Sequence, residues 1–353
     1  MSSQDDLDTL EAQLTTERRK VDVANHNFSV RELVRMMTDE ELNVAPEYQR
    51  KFRWTEDGES LFIESVFLGL PIPPIFVATN VGFQWEVVDG LQRLSSLLHF
   101  MGESTEDLKF ANRREPLILE GLEKLNQLNG RTFAELPKSL QVYFGRQPLQ
   151  VISLTDKSDL QVRFDLFERL NRGTVTLTAQ EVRACVYRGP FNNFLEELAA
   201  DETFLSLLKL QRARQHDGTK AEQVLKFFAY KNYRDEFDGK VSGFCNRYMQ
   251  HAQSNFDYKR ERQRFLDAVQ TLSAICKGRP FVRPGISLTP LVQFEACLVA
   301  VAELQEEGAE IAVPTSDWLR DEELKASSTG ATNTRAMLRR RIDRAKVLLG
   351  ARS

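Results

Sequence analysis

Asp89-Gly90-Leu91-Gln92-Arg93 gathers, within one turn, the groups that phosphate chemistry requires. The turn follows the strand-like run Phe83-Gln84-Trp85-Glu86-Val87-Val88 and precedes a helical pattern from Leu91 to Met101. Backbone N–H groups at a helix start have no intrahelical acceptor, and the aligned peptide dipoles add partial positive charge there. Gly90 lets an anion approach the backbone closely, and Arg93 can set its fork of donors on phosphate oxygens. Gln92 can both donate and accept, which suits a ribose, a base edge or an attacking water. Asp89 can hold a metal, activate water or cap the helix. A plainer reading accounts for the same residues, with Asp89 as the cap and Arg93 in a surface ion pair.

A second polar cluster, Pro46-Glu47-Tyr48-Gln49-Arg50-Lys51-Phe52-Arg53-Trp54, alternates charge with aromatic rings. By itself it reads equally well as a half-buried strand with solvated charges. The four cysteines and four histidines are scattered, and no pair has the short spacing of a zinc knuckle or a redox couple. A histidine-based metal nuclease and a Cys-His protease are therefore unsupported, and the metal question stays open. No Gly-x-x-x-x-Gly-Lys phosphate loop is present. Glu323-Leu324-Lys325, the one Glu-x-Lys worth noting, falls in a helical pattern rather than on a strand.

The elements around the turn follow from local signals. Ser29 caps a helix over RELVRMM, and ELNV before Pro46 reads as a short strand. Thr55 caps the next helix, which Pro71, Pro73 and Pro74 close off. Ile75–Ala78 and Phe83–Val88 form a hairpin around Thr79–Gly82. A helix near Leu136–Tyr143 and a strand over Leu149–Leu154 complete a small mixed sheet.

From Ser158 onward the pattern is helical. Leu160, Phe164, Phe167 and Leu170 share a face, Asn171-Arg172-Gly173 is a stop signal, and Thr178 with Glu181 has capping-box spacing. Further helices are expected over 221–234, 258–276, 288–305 and 335–349. The predicted class is α+β: a polar arm over residues 1–24, a mixed-sheet domain over 25–156 and an all-α helical domain over 157–353.

Hydrophobic residues at 42% and charged residues at 28% fit a globular chain. No apolar run approaches the roughly 18–20 residues that span a bilayer, and the polar, acidic start lacks the apolar stretch of a signal peptide. A cytoplasmic location without a membrane partner is the expectation. A net charge of −4 supplies no global pull toward nucleic acid. Any DNA contact must be local, and Arg339, Arg340 and Arg344, in the densest basic segment, are its candidates. Leu338, Ile342, Ala345 and Leu349 lie on one face of the same segment, so a helix packed on the core is the default there.

Pro46-Glu47-Tyr48-Gln49-Arg50 with Trp54, then Leu70-Pro71-Ile72-Pro73-Pro74, then Val88-Asp89-Gly90-Leu91-Gln92-Arg93-Leu94 resemble the N-terminal domain of GmrSD-type type IV restriction endonucleases. Phe167–Gly173, Leu177–Arg183 and Val224–Phe227 are similar to later motifs of that family. The resemblance spans roughly residues 25–250 and implies a ParB/sulfiredoxin-like fold for the front domain. It implies nucleotide binding and hydrolysis at the turn, with Asp89 and Gln92 as catalytic residues and Gly90 and Arg93 on the nucleotide. Tyr48, Gln49 and Arg50 would close the pocket from the opposite wall, and Asn171 matches a further family position. Leu91 stands where the family usually has glutamine, which bears on nucleotide selectivity.

The resemblance further implies a nucleoside triphosphate in a bacterial anti-phage system that acts on or senses DNA, and Mg2+ is compatible with it because a triphosphate brings most of the ion's oxygen ligands. Full-length relatives carry a separate His-Asn-His nuclease domain. No such pattern is found in this chain, so a partner supplying nuclease activity is expected. The alternatives are a ParB-like nucleotide-controlled DNA-binding switch and a non-catalytic adaptor.

Overall fold

The computed structural model describes residues 3–43, 54–79, 83–102, 104, 108, 113–155, 157–170, 178–215, 217–314, 318–330 and 332–351. They divide into two compact units, residues 1–175 and 176–353.

The first unit is built on a five-stranded sheet. Its strands are β1 (Val23–Ser29), β2 (Leu42–Asn43), β3 (Ile75–Thr79), β4 (Trp85–Asp89) and β5 (Pro148–Leu154). They lie in the order β1-β5-β3-β4-β2. β1 runs antiparallel to β5, β5 parallel to β3, β3 antiparallel to β4, and β4 parallel to the two-residue β2. The expected hairpin is the β3–β4 pair, and the mixed sheet is as predicted. β1 was not anticipated, because its alternation carries Asn25 and Asn27 on an exposed edge where apolar residues would have marked a strand.

Helix α1 (Ser3–Arg18) precedes the sheet. Helices α2 (Val30–Thr38), α3 (Glu56–Phe67), α4 (Leu91–Met101) and α5 (Lys138–Gly145) pack on one another. The predicted caps hold: Ser29 Oγ accepts from Glu32 N, and Thr55 Oγ1 accepts from Gly58 N. The rings of Phe67, Phe100, Phe133 and Phe144 close the core between α3, α4 and α5, with Phe67 and Phe144 only 4.5 Å apart.

α3 also buries three polar side chains that hold an irregular strap running from residue 113 to residue 125. Ser60 Oγ accepts from Glu120 N at 3.1 Å, and Glu64 Oε1 accepts from Lys124 N and Leu125 N. Glu59, fully buried, receives Arg113 and His99. Each buried acceptor is thereby satisfied, as a helix facing a loop without ladder bonds requires.

Helix α6 (Leu160–Leu170) goes with the sheet. Asp159 N donates to Lys20 O, Thr155 N to Asp22 O, and Arg163 Nη2 to Thr79 O at 3.2 Å. The compact division accordingly follows α6, whereas the sequence pattern shifts to helices before it.

The second unit is helical among its described residues: α7 (Ala179–Val186), α8 (Pro190–Ala199), α9 (Glu202–Leu207), α10 (Thr219–Asn232), α11 (Val241–Ser254), α12 (Tyr258–Ile275), α13 (Leu291–Glu306), α14 (Glu322–Ala326) and α15 (Arg335–Leu349). The Thr178–Glu181 capping box is formed in both directions. Its core mixes phenylalanines with a buried polar set. Arg183 donates to Gln180, Asn246 and Ser242, and Lys226 lies between Glu222 and Glu295. Burial works against the Lys226 ammonium, but Glu295 and Glu222 hold its pKa well above the ordinary lysine value.

Candidate functional site

β4 delivers the turn through a bulge. Phe76 pairs with Asp89 and Val77 with Val87, which leaves Val88 as the extra residue. A bulge bends its strand and strengthens the local twist, and here it does so at the residue that opens the turn.

Gly90 follows as the N-cap of α4, at φ 107° and ψ 8°. Side chains rarely adopt that backbone conformation. A Cβ on Gly90 would also stand 3.0 Å and 3.2 Å from the two γ-carbons of Ile75 on β3. The glycine is thus demanded twice, by the left-handed turn and by the close passage of β3.

Asp89 does not cap the helix. The N-cap position is Gly90, which has no side chain to offer, and the first turn of α4 contains no acidic residue. The Asp89 carboxylate instead accepts from Arg93 Nη2 at 2.7 Å, an i,i+4 ion pair. Arg93 Nη1 reaches the carbonyls of Pro73 and Pro74. The side chain of Arg93 is 12% exposed and that of Asp89 46%. One guanidinium therefore ties three pieces together: the end of β4, the first turn of α4 and the Pro71–Pro74 segment leading into β3. The carboxylate stays open to solvent on its other side.

Gln92 occupies a different position from its neighbours. Its Oε1 accepts from the backbone N–H of Trp54 at 3.1 Å. The carbonyl of the same Trp54 accepts from Arg113 Nη2 at 3.1 Å. Arg113 Nη2 is also held by Glu59 Oε1, while Glu59 Oε2 is bonded to His99 Nδ1. His99 Nε2 meets the carbonyl of Glu115 at 2.9 Å, which makes that nitrogen a donor. Sequence reasoning missed Glu59, His99 and Arg113 as neighbours of the turn. His99 carried no motif, and it lies 40 residues from Glu59 along the chain.

Tyr48, Gln49, Arg50 and Asn171 lie outside the described residues. Asp89, Gly90, Gln92 and Arg93 are brought together by the turn itself. Its donor set fits an anion: a helix start with no side chain of its own to satisfy it, next to a guanidinium. Among the described residues no group of three or more His, Cys, Asp or Glu side chains is gathered as a metal site. A divalent ion at Asp89 would need most of its oxygen ligands from a triphosphate and water.

The basic segment is α15. Leu338, Ile342, Ala345 and Leu349 are fully buried, as the default reading had it. The three candidate arginines each meet an acid: Arg339 with Asp235 at 2.5 Å, Arg340 with Glu323 at 3.1 Å, and Arg344 with Asp321 at 2.5 Å. The hydrogen bond from Arg339 holds the Asp235 carboxyl below the usual carboxylate range, and that from Arg344 does the same for Asp321. Part of the positive charge counted in the sequence is thus spent inside the unit. No helix among the described residues is long and apolar enough to cross a membrane.

Residues 30–188 match the family described as GmrSD restriction endonuclease, N-terminal domain. The matched stretch runs from α2 through α7 and includes the whole Asp89–Arg93 turn. No curated protein and no solved structure matches the chain.

Proposed function

From a chain that resembles the GmrSD restriction endonuclease N-terminal domain over residues 30–188, we propose a nucleoside-triphosphate-binding component of a restriction-type defence system. The single observation that carries this is the start of α4. Its first turn has no acidic residue and no side-chain cap, with Arg93 alongside. The first-turn amides and Arg93 hold phosphates. Asp89, half-exposed beside them, orients a water or the Mg2+ ion that accompanies the triphosphate, and hydrolysis follows from that positioning. Tyr48, Gln49, Arg50 and Asn171 complete the nucleotide contacts by family likeness, and a partner subunit supplies DNA cleavage.

A second reading, a nucleotide-controlled switch, is favoured by one contact. Gln92 joins the turn to the peptide of Trp54, so ligand at the turn is felt at the last residue of the Pro46–Trp54 cluster. The two readings share the pocket and differ in turnover. Calorimetric titration of the common nucleoside triphosphates tests the pocket, and phosphate release with and without Mg2+ separates enzyme from switch. Absence of binding by any triphosphate overturns both.

A further inference from the structure

Two segments of the helical unit, residues 203–216 and 268–294, carry no acidic residue, although Asp and Glu make up 51 of the 353 residues. Between them they hold Lys209, Arg212, Arg214, Lys277, Arg279 and Arg283. The fold lays the two segments side by side. Phe281 N donates to Leu207 O at 2.8 Å, Thr289 N to Lys209 O at 3.0 Å, and Lys209 N to Thr289 Oγ1 at 2.8 Å. Five of the six cations are exposed; Arg283 is half-buried, its Nε donating to Gln293 Oε1 at 2.8 Å. None of the six is in an ion pair among the described residues. Glu222 feels Arg214 but pairs with Lys226 at 2.9 Å. Burial pushes the Arg283 guanidinium below its ordinary value, and no carboxylate opposes that shift. α15 is the contrast, because Arg339, Arg340 and Arg344 all meet acids.

Like charges gathered without acids repel one another, and an external polyanion relieves that repulsion. Four of the six are arginines, whose planar forks of donors match phosphate. Phe204, Phe281 and Phe294, the phenylalanines of the two segments, are fully buried. They are unavailable to stack unpaired bases, as a single-strand site requires, or to anchor a protein partner. We propose that these two segments form a docking surface for the phosphate backbone of double-stranded DNA, held by charge and without sequence readout. The surface lies outside residues 30–188, the stretch that matches the family. The choice of DNA rests on the restriction reading given above, but the uncompensated charge does not.

Fluorescence anisotropy of a labelled DNA duplex with the full chain, across a salt series and with and without a nucleoside triphosphate, tests this. Arg212→Gln, Arg214→Gln and Arg279→Gln in one chain remove three exposed charges, and the melting temperature is expected to hold. Affinity is expected to fall by about tenfold or more for every duplex sequence, and the salt slope to flatten by roughly 0.9 per lost contact. Arg212→Glu with Arg279→Glu is expected to abolish binding. Arg339→Gln, Arg340→Gln and Arg344→Gln together are expected to keep the wild-type slope, since those arginines are already paired.

Wild-type protein that binds no duplex at low salt, or a triple variant with wild-type affinity and slope, overturns the proposal. Tighter binding of an RNA duplex of the same length overturns the choice of DNA. If the triple variant does not fold, Lys277→Gln with Arg279→Gln on the second segment carries the same test. Triphosphate affinity should be unchanged in all these variants, because the Asp89–Arg93 turn belongs to the other unit. Loss of duplex binding by the wild type beside intact triphosphate binding removes this inference alone. Failure to bind any triphosphate removes the proposed function instead.

Discussion

Arg93 reaches Asp89 across one helical turn at 2.7 Å, and the same guanidinium holds the carbonyl of Pro74 at 3.1 Å. The arginine at the start of α4 is therefore both the candidate phosphate ligand and a structural tie. Replacing it has two consequences that must be measured apart. Arg93→Ala is expected to lower the melting temperature, by loss of the Pro73–Pro74 tie, and to weaken triphosphate binding by more than about tenfold. Arg93→Lys keeps the charge without the fork and should recover less than half of the lost binding free energy. Melting curves beside titrations distinguish the two effects.

Gly90→Ala tests the turn itself. The alanine would have to sit at φ near 107° with its Cβ against Ile75. The expected cost is about 1–3 kcal/mol, from backbone strain together with the contact. Chemical denaturation reads it directly. A variant as stable as the wild type would show that the turn can relax away from the observed geometry.

Asp89→Asn keeps the shape of the side chain and removes its charge. Since Asp89 is not the cap of α4, helix stability should change little through capping. The account expects triphosphate affinity to be retained within a few-fold and phosphate release to be lost. Undiminished release in the variant would remove Asp89 from the chemistry.

The local elements were legible because each carries its own signal. Ser29, Thr55 and Thr178 stand before periodic apolar runs and cap the helices that follow. The helix over 335–349 repeats its leucine face without interruption. Pro190 is the first residue of α8, where the missing N–H costs nothing. The turn was visible as a string of five residues, and the Asp89–Arg93 pair follows from i,i+4 spacing. The clamp behind it was not. Glu59 and Arg113 are 54 residues apart and meet only because α3 packs against α4 and the irregular strap crosses both. No periodicity encodes such a meeting.

For α15, changing Arg339, Arg340 and Arg344 together to Gln keeps helix propensity and removes four ion pairs, since Arg344 meets both Asp321 and Glu323. The melting temperature at neutral pH is expected to fall by a few degrees. The carboxyls of Asp235 and Asp321 are depressed in the folded protein by these arginines. Their stabilisation is present above the unfolded carboxylate pKa and is lost as pH falls through the folded values. The gap between variant and wild type should therefore narrow in acid. If the arginines also meet DNA phosphates, the salt slope of duplex binding falls by roughly 0.9 per lost contact. An unchanged slope assigns them to the fold alone.

The central claim is that the start of α4 is a triphosphate site. Isothermal titration calorimetry on the full chain, with each common nucleoside triphosphate in turn and Mg2+ present, tests it most directly. Saturable binding of at least one triphosphate is expected, weakened more than about tenfold in Arg93→Ala. Folded wild-type protein that takes up none of them, or binding that Arg93→Ala leaves untouched, contradicts it.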